Sequence, residues 1–120
     1  MLIRLDTSSA VPLFEQVAAS IRADMASGRV SPGDRLPSAR DVAASLDVNL
    51  HTVLRAYQVL RDEGLVDMRR GRGAVVTAPA GALTGLMAGI RDLSAQASAM
   101  GVTPEALASL VRDSVANPSQ

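Results

Sequence analysis

The apolar residues between Pro12 and Thr77 change their spacing once, at Gly64, and this change constrains the fold more than any other feature of the chain. Before Gly64 the spacing is helical; after it the spacing is close to two. Leu13, Val17 and Ile21 recur every four residues, and Phe14, Ala18 and Met25 widen the stripe. This predicts a helix from about Pro12 to Ser27. Pro12 suits a first turn, where a missing N–H costs nothing, and Gly28 suits the C-terminal end. Ser31-Pro32-Gly33-Asp34 is a turn signal, and Arg35-Leu36 leaves room for only a very short strand. Ser38 is an N-cap with Asp41 in the first turn of a second helix to about Leu46, burying Ala39, Val42, Ala43 and Leu46.

Asp47-Val48-Asn49 is a short connection, with Asn49 capping a third helix that ends before Gly64. Val53, Ala56, Tyr57 and Leu60 face inward at relative positions 0, 3, 4 and 7; His51, Thr52, Arg55, Gln58 and Asp62 then face outward. Two helices so closely joined resemble a helix-turn-helix. Leu65–Arg69 and Ala74–Thr77 are strand-like, and Arg70-Gly71-Arg72-Gly73 forms a cationic hairpin tip between them. Pro79 and Gly81 close the unit.

The remainder is helical again. Leu83, Leu86, Met87, Ile90, Leu93, Ala97 and Met100 form one stripe, ended by Gly101. Thr103-Pro104-Glu105 starts a last helix whose stripe is Leu107, Leu110, Val111 and Val115, and Asn117 to Gln120 are expected to fray. The fold class is mainly α with a small β-hairpin. We expect a winged helix-turn-helix over residues 1–79 and a two-helix dimerisation or effector-sensing segment over 80–120.

Composition removes most chemistry. All 12 cations are arginine, and the chain has no cysteine, no tryptophan, one histidine, one Phe and one Tyr. Disulfides, thiolate or triple-histidine metal sites, Schiff bases and P-loops are therefore excluded, and no metal or cofactor is expected. His51 is the only imidazole, and neither a Gly-x-Ser-x-Gly elbow nor a carboxylate pair appears, so an enzyme is not expected. A single-strand binder needs more aromatic platforms. No apolar run approaches the roughly 20 residues of a membrane span, and no secretory signal starts the chain. Cytoplasm is the expected compartment.

Nucleic-acid binding remains, despite a formal net charge of zero. Arg69, Arg70 and Arg72 oppose only Asp67 in the hairpin, and such a ribbon suits a phosphate backbone or a minor groove. An isolated hairpin of this kind also reads as a solvated edge. A recognition helix presents its first residues to base edges: here Asn49, Leu50, His51 and Thr52, with Arg55 one turn on. Leu50 either packs on the turn or touches thymine methyls. Arg40 either contacts DNA or pairs with Asp41 or Asp47, and Ser38 with the free N–H groups beside it suits a phosphate. The C-terminal pair either adds to the first core or packs on a second copy. The second arrangement places Leu83, Leu86, Met87, Ile90, Leu93, Leu107, Leu110 and Val111 at a dimer interface. A protein-interaction module without DNA binding is the rival reading.

Pro12 to Val17, Gly28 to Arg40, Thr52-Val53, Arg55-Ala56-Tyr57, Leu60, Glu63 to Val66 and Arg70 to Gly73 together resemble a GntR-family transcriptional regulator. The resemblance continues to Val76 and implies a winged helix-turn-helix that binds operator DNA as a dimer. Arg40, Thr52, Arg55, Arg72 and Gly73 are the DNA-contacting positions it carries over. Residues 80–120 are too few for the large effector domains of some members, and the chain resembles the short YtrA-type group instead. A fragment or degenerate relative of an enzyme-fused regulator is the other reading compatible with Arg55-Ala56-Tyr57. Leu50 and Leu54 stand where the longer, all-helical branch has arginines, so the operator should differ from that branch's. The YtrA-type resemblance implies a repressor, with ABC transporter or export genes as targets. Room is left for a small apolar effector between the C-terminal helices and the winged helix, with nothing to identify it.

Overall fold

The computed structural model describes residues 1–118. Ser119 and Gln120, expected to fray with the residues before them, lie outside the described residues. The elements run α1 (Leu13–Ala26), α2 (Ala39–Leu46), α3 (Leu50–Asp62), β1 (Val66–Arg69), β2 (Gly73–Val76), a 3-10 turn (Ala78–Gly81), α4 (Ala82–Ala99) and α5 (Pro104–Ala116). The three polar caps are formed as expected. The Ser38 hydroxyl accepts from Asp41 N–H at 3.1 Å, Asn49 Oδ1 from His51 N–H at 2.8 Å, and the Thr103 hydroxyl from Ala106 N–H at 3.2 Å. Each satisfies a donor that the start of a helix would leave open.

The core lies where the stripes meet. Val17, Ala18, Ile21 and Met25 of α1 join Val53, Ala56, Tyr57 and Leu60 of α3, with Val42 and Ala43 of α2 beside them. Val66, Ala74 and Val76 close the core from the hairpin, and Leu36 and Ala80 from the connections. The hairpin is antiparallel, from Val66 opposite Val76 to Arg69 opposite Gly73. Gly73 thus belongs to β2 and not to the tip. Arg72 N–H bonds Arg69 O at 3.1 Å and closes the turn. Gly71, with φ 80°, sits third in that turn, where a type II turn requires positive φ. Arg35 bridges to Val75, and Leu36 N–H reaches Ala74 O at 2.9 Å. The expected very short strand is this single bridge on the other edge of β2.

The N-terminal residues are tied along α1. Leu2 N–H donates to the buried Asp24 carboxylate at 2.9 Å, and Asp6 N–H to the Gln16 side chain at 2.7 Å. The Gln16 amide in turn donates to the Asp6 and Val11 carbonyls. Arg22 and Glu63 join α1 to the end of α3 through two bonds of 2.7 and 2.8 Å.

The chain divides into two compact units, Met1–Leu86 and Met87–Gln120. The division falls inside α4, later than the boundary expected after residue 79, because the first turn of α4 belongs to the first unit. Leu83 is half-buried against that unit's core, and the Thr84 hydroxyl donates to Met25 O at 3.3 Å. Leu83 thus packs on the first unit's core, whereas Leu86, the last residue of that unit, is exposed.

Candidate nucleic-acid interface

The helix-turn-helix is joined by specific atoms. The Tyr57 hydroxyl on α3 donates to Pro37 O, just before α2, at 2.6 Å. Burial pushes its phenol up to about 12. At the other end of α2, Asp47 is left-handed, with φ 54° and ψ 49°. Its N–H reaches Ala44 O at 3.4 Å, and Val48 N–H reaches Ala43 O at 3.0 Å. This is a Schellman ending, built on aspartate where glycine is usual. It turns the chain at once into the Asn49 cap of α3.

On this frame Ser38, Arg40, Asn49, His51, Arg55, Arg70, Arg72 and Gly73 are exposed, and Thr52 is half-buried. Asn49 Oδ1 and the Ser38 hydroxyl both serve as caps, which leaves the Asn49 amide and the Ser38 hydroxyl proton to serve as donors. His51 and Arg55 stand one turn apart on α3. Leu50 is half-buried against the core, so of its two readings the structure favours packing on the turn. Arg70 and Arg72 occupy the hairpin tip.

Ion pairing separates four of the arginines from the rest. Four pair with carboxylates: Arg22 with Glu63, Arg29 with Asp24, Arg61 with Asp62 and Arg69 with Asp67. Among the described residues Arg40, Arg55, Arg70 and Arg72 form no ion pair, and neither do Arg4, Arg35, Arg91 and Arg112. Asp41 and Asp47, the alternative partners of Arg40, do not engage it. Arg55 instead lies over the Phe14 ring, with its guanidinium carbon 3.8 Å from the centroid. Helical spacing assigns Phe14 to the apolar stripe of α1. No local signal links residues so far apart, although Phe14 is one of only two aromatic side chains in the chain.

The second unit has a different character. Of α4, only Ala97 is buried, and α5 buries no residue. Ile90, Leu93, Leu110 and Val111 are exposed, Leu110 at 62%, as is Leu86 at the end of the first unit. Met87 and Leu107 are half-buried. Among the described residues no cluster of His, Cys, Asp and Glu could hold a metal ion, and no helix is long and apolar enough to cross a membrane.

Residues 13–76, which run from the first residue of α1 to the last of β2, match the family described as "Bacterial regulatory proteins, gntR family". The chain belongs to the GntR family. As a GntR protein it is a DNA-binding transcriptional regulator of the winged-helix type, and the members of that family are regulators and not enzymes. It is 30% identical over 118 residues to the HTH-type transcriptional repressor YtrA of Bacillus subtilis, covering 93% of this chain and 91% of that one. Among solved structures it is similar to a GntR family transcriptional regulator from Listeria monocytogenes, with TM-score 0.65, 26% identity and 91% and 98% coverage. It is also similar to YtrA from Sulfolobus acidocaldarius, a GntR-family transcription factor, with TM-score 0.62, 34% identity and 82% and 99% coverage. These likenesses cover most of the chain and place this GntR regulator with the YtrA-type members.

Proposed function

We propose that this GntR regulator is a cytoplasmic repressor that binds a palindromic operator as a homodimer. The observation that carries the reading is the division of the arginines. On the body of the first unit Arg22, Arg29 and Arg61 pair with carboxylates, whereas Arg4 and Arg35 do not. Arg40 on α2, Arg55 on α3, and Arg70 and Arg72 on the wing have no carboxylate partner. In this reading α3 enters the major groove and directs Asn49, His51, Thr52 and Arg55 at base edges. The wing carries Arg70, Arg72 and Gly73 to the backbone, while Ser38 and Arg40 hold a phosphate beside the start of α2. Two copies joined through Leu86, Met87, Ile90, Leu93, Leu107, Leu110 and Val111 read two half-sites about one helical turn apart. The bound dimer blocks a promoter by its bulk. Release requires a signal that alters the spacing of the two reading helices, and a small apolar effector is the class this leaves open.

The test is a mobility shift of the gene's own upstream duplex over a range of salt. Binding should weaken steeply as salt rises, because each arginine–phosphate contact releases counterions. Arg72→Ala should weaken binding to every duplex alike, whereas Arg55→Ala should also relax sequence preference, by roughly 1–3 kcal/mol at one base pair. No shift at low salt would favour the protein-interaction module. The YtrA-type resemblance makes adjacent ABC transporter or export genes the first targets to examine.

A further inference from the structure

Arg55 stands on the helix that reads DNA, yet its nearest chemical partner lies on another element. Phe14 belongs to the first turn of α1 and is half-buried, and the exposed Arg55 guanidinium rests on its ring at 3.8 Å. A guanidinium over an aromatic face is held by the negative charge of that face, while its N–H donors point outward along the edge of its plane. An unsupported arginine samples many rotamers and loses that freedom when it binds. One supported on a ring is already ordered, with its donors available. Among the described residues no carboxylate competes for them.

We propose that Phe14 is a positioning residue for sequence recognition: from α1, it holds the Arg55 guanidinium in place on α3 with its donor edge free for a base. The inference rests on the DNA-binding reading above. It assigns part of the specificity to a residue outside the helix-turn-helix. It also explains why an aromatic ring occupies a partly exposed position that an aliphatic side chain could fill equally well.

The experiment begins by selecting duplexes from a randomised DNA pool with the unmodified protein. The enriched duplex and a scrambled one are then titrated with wild type, Phe14→Leu, Phe14→Tyr, Arg55→Ala and the double variant Phe14→Leu/Arg55→Ala. Phe14→Leu should weaken the enriched duplex roughly two- to fivefold while leaving the scrambled one unchanged, and Phe14→Tyr should retain wild-type preference. In the Arg55→Ala background, Phe14→Leu should have no further effect. Pentafluorophenylalanine in place of Phe14 keeps the shape but removes the negative face; it should reproduce the Phe14→Leu loss even if that variant folds poorly. Equal weakening of both duplexes, an equal effect with and without Arg55, or tighter binding by Phe14→Leu would each overturn the positioning role. A tighter-binding variant would mean that the ring restrains Arg55 from DNA. A pool that never enriches would instead overturn the DNA-binding reading, and the proposal with it.

Discussion

Tyr57 shows how one atom can order a helix-turn-helix. Its hydroxyl spans from α3 to the carbonyl of Pro37. Tyr57→Phe removes that bond, and urea unfolding should register a loss of about 1 kcal/mol. Burial of the phenol also has a pH signature. The unfolded chain ionises its tyrosine near 10.0, whereas the folded chain holds the proton to about 12. Stability from this group is complete below pH 10.0 and is lost as pH rises towards about 12. With no lysine present, no other side chain titrates in that window, so Tyr57→Phe should flatten the decline. Asp47 makes a second residue-scale prediction. Its φ of 54° is tolerated by aspartate and glycine but not by a β-branched side chain. Asp47→Val should lower the urea midpoint by an amount equivalent to about 1–2 kcal/mol, and Asp47→Gly should not.

The elements themselves were largely legible, because each is encoded by its own neighbours in sequence. The stripe Val53, Ala56, Tyr57 and Leu60 is buried as its spacing requires, and the Ser38, Asn49 and Thr103 caps start the helices they were expected to start. Asn49→Ala should therefore cost about 1 kcal/mol in thermal unfolding, through the loss of the His51 N–H bond. What periodicity does not encode is which atoms meet across the fold. The pairs Arg22–Glu63, Asp24–Leu2 and Phe14–Arg55 join residues that share no turn and no strand. Helical spacing reveals that Phe14 and Arg55 occupy particular faces, but the packing angle of α1 on α3 decides that they touch. Leu83 illustrates the converse. It continues the apolar stripe of α4 without interruption, yet it packs on the first unit, because one helix can change its partner along its length.

At the scale of the molecule, zero net charge reflects where the charges sit and says little about binding. Carboxylates answer Arg22, Arg29 and Arg61 on the body, and Arg40, Arg55, Arg70 and Arg72 of the proposed reading surface stay unpaired, so long-range attraction to DNA should be weak and local contacts decisive. The apolar stripes of α4 and α5 make a separate prediction. Ile90→Glu combined with Leu110→Glu should leave the first unit folded and halve the mass measured by light scattering. If the proposed homodimer reads two half-sites, the paired substitutions should also weaken operator binding roughly a hundredfold, through loss of the second one. The chain contains no tryptophan, so its intrinsic ultraviolet fluorescence comes from the single phenol of Tyr57, buried on α3 with its hydroxyl on the Pro37 carbonyl just before α2. The regulator therefore carries its own optical reporter at the joint of its reading head. Any event that loosens that joint can be followed by emission from the unlabelled protein.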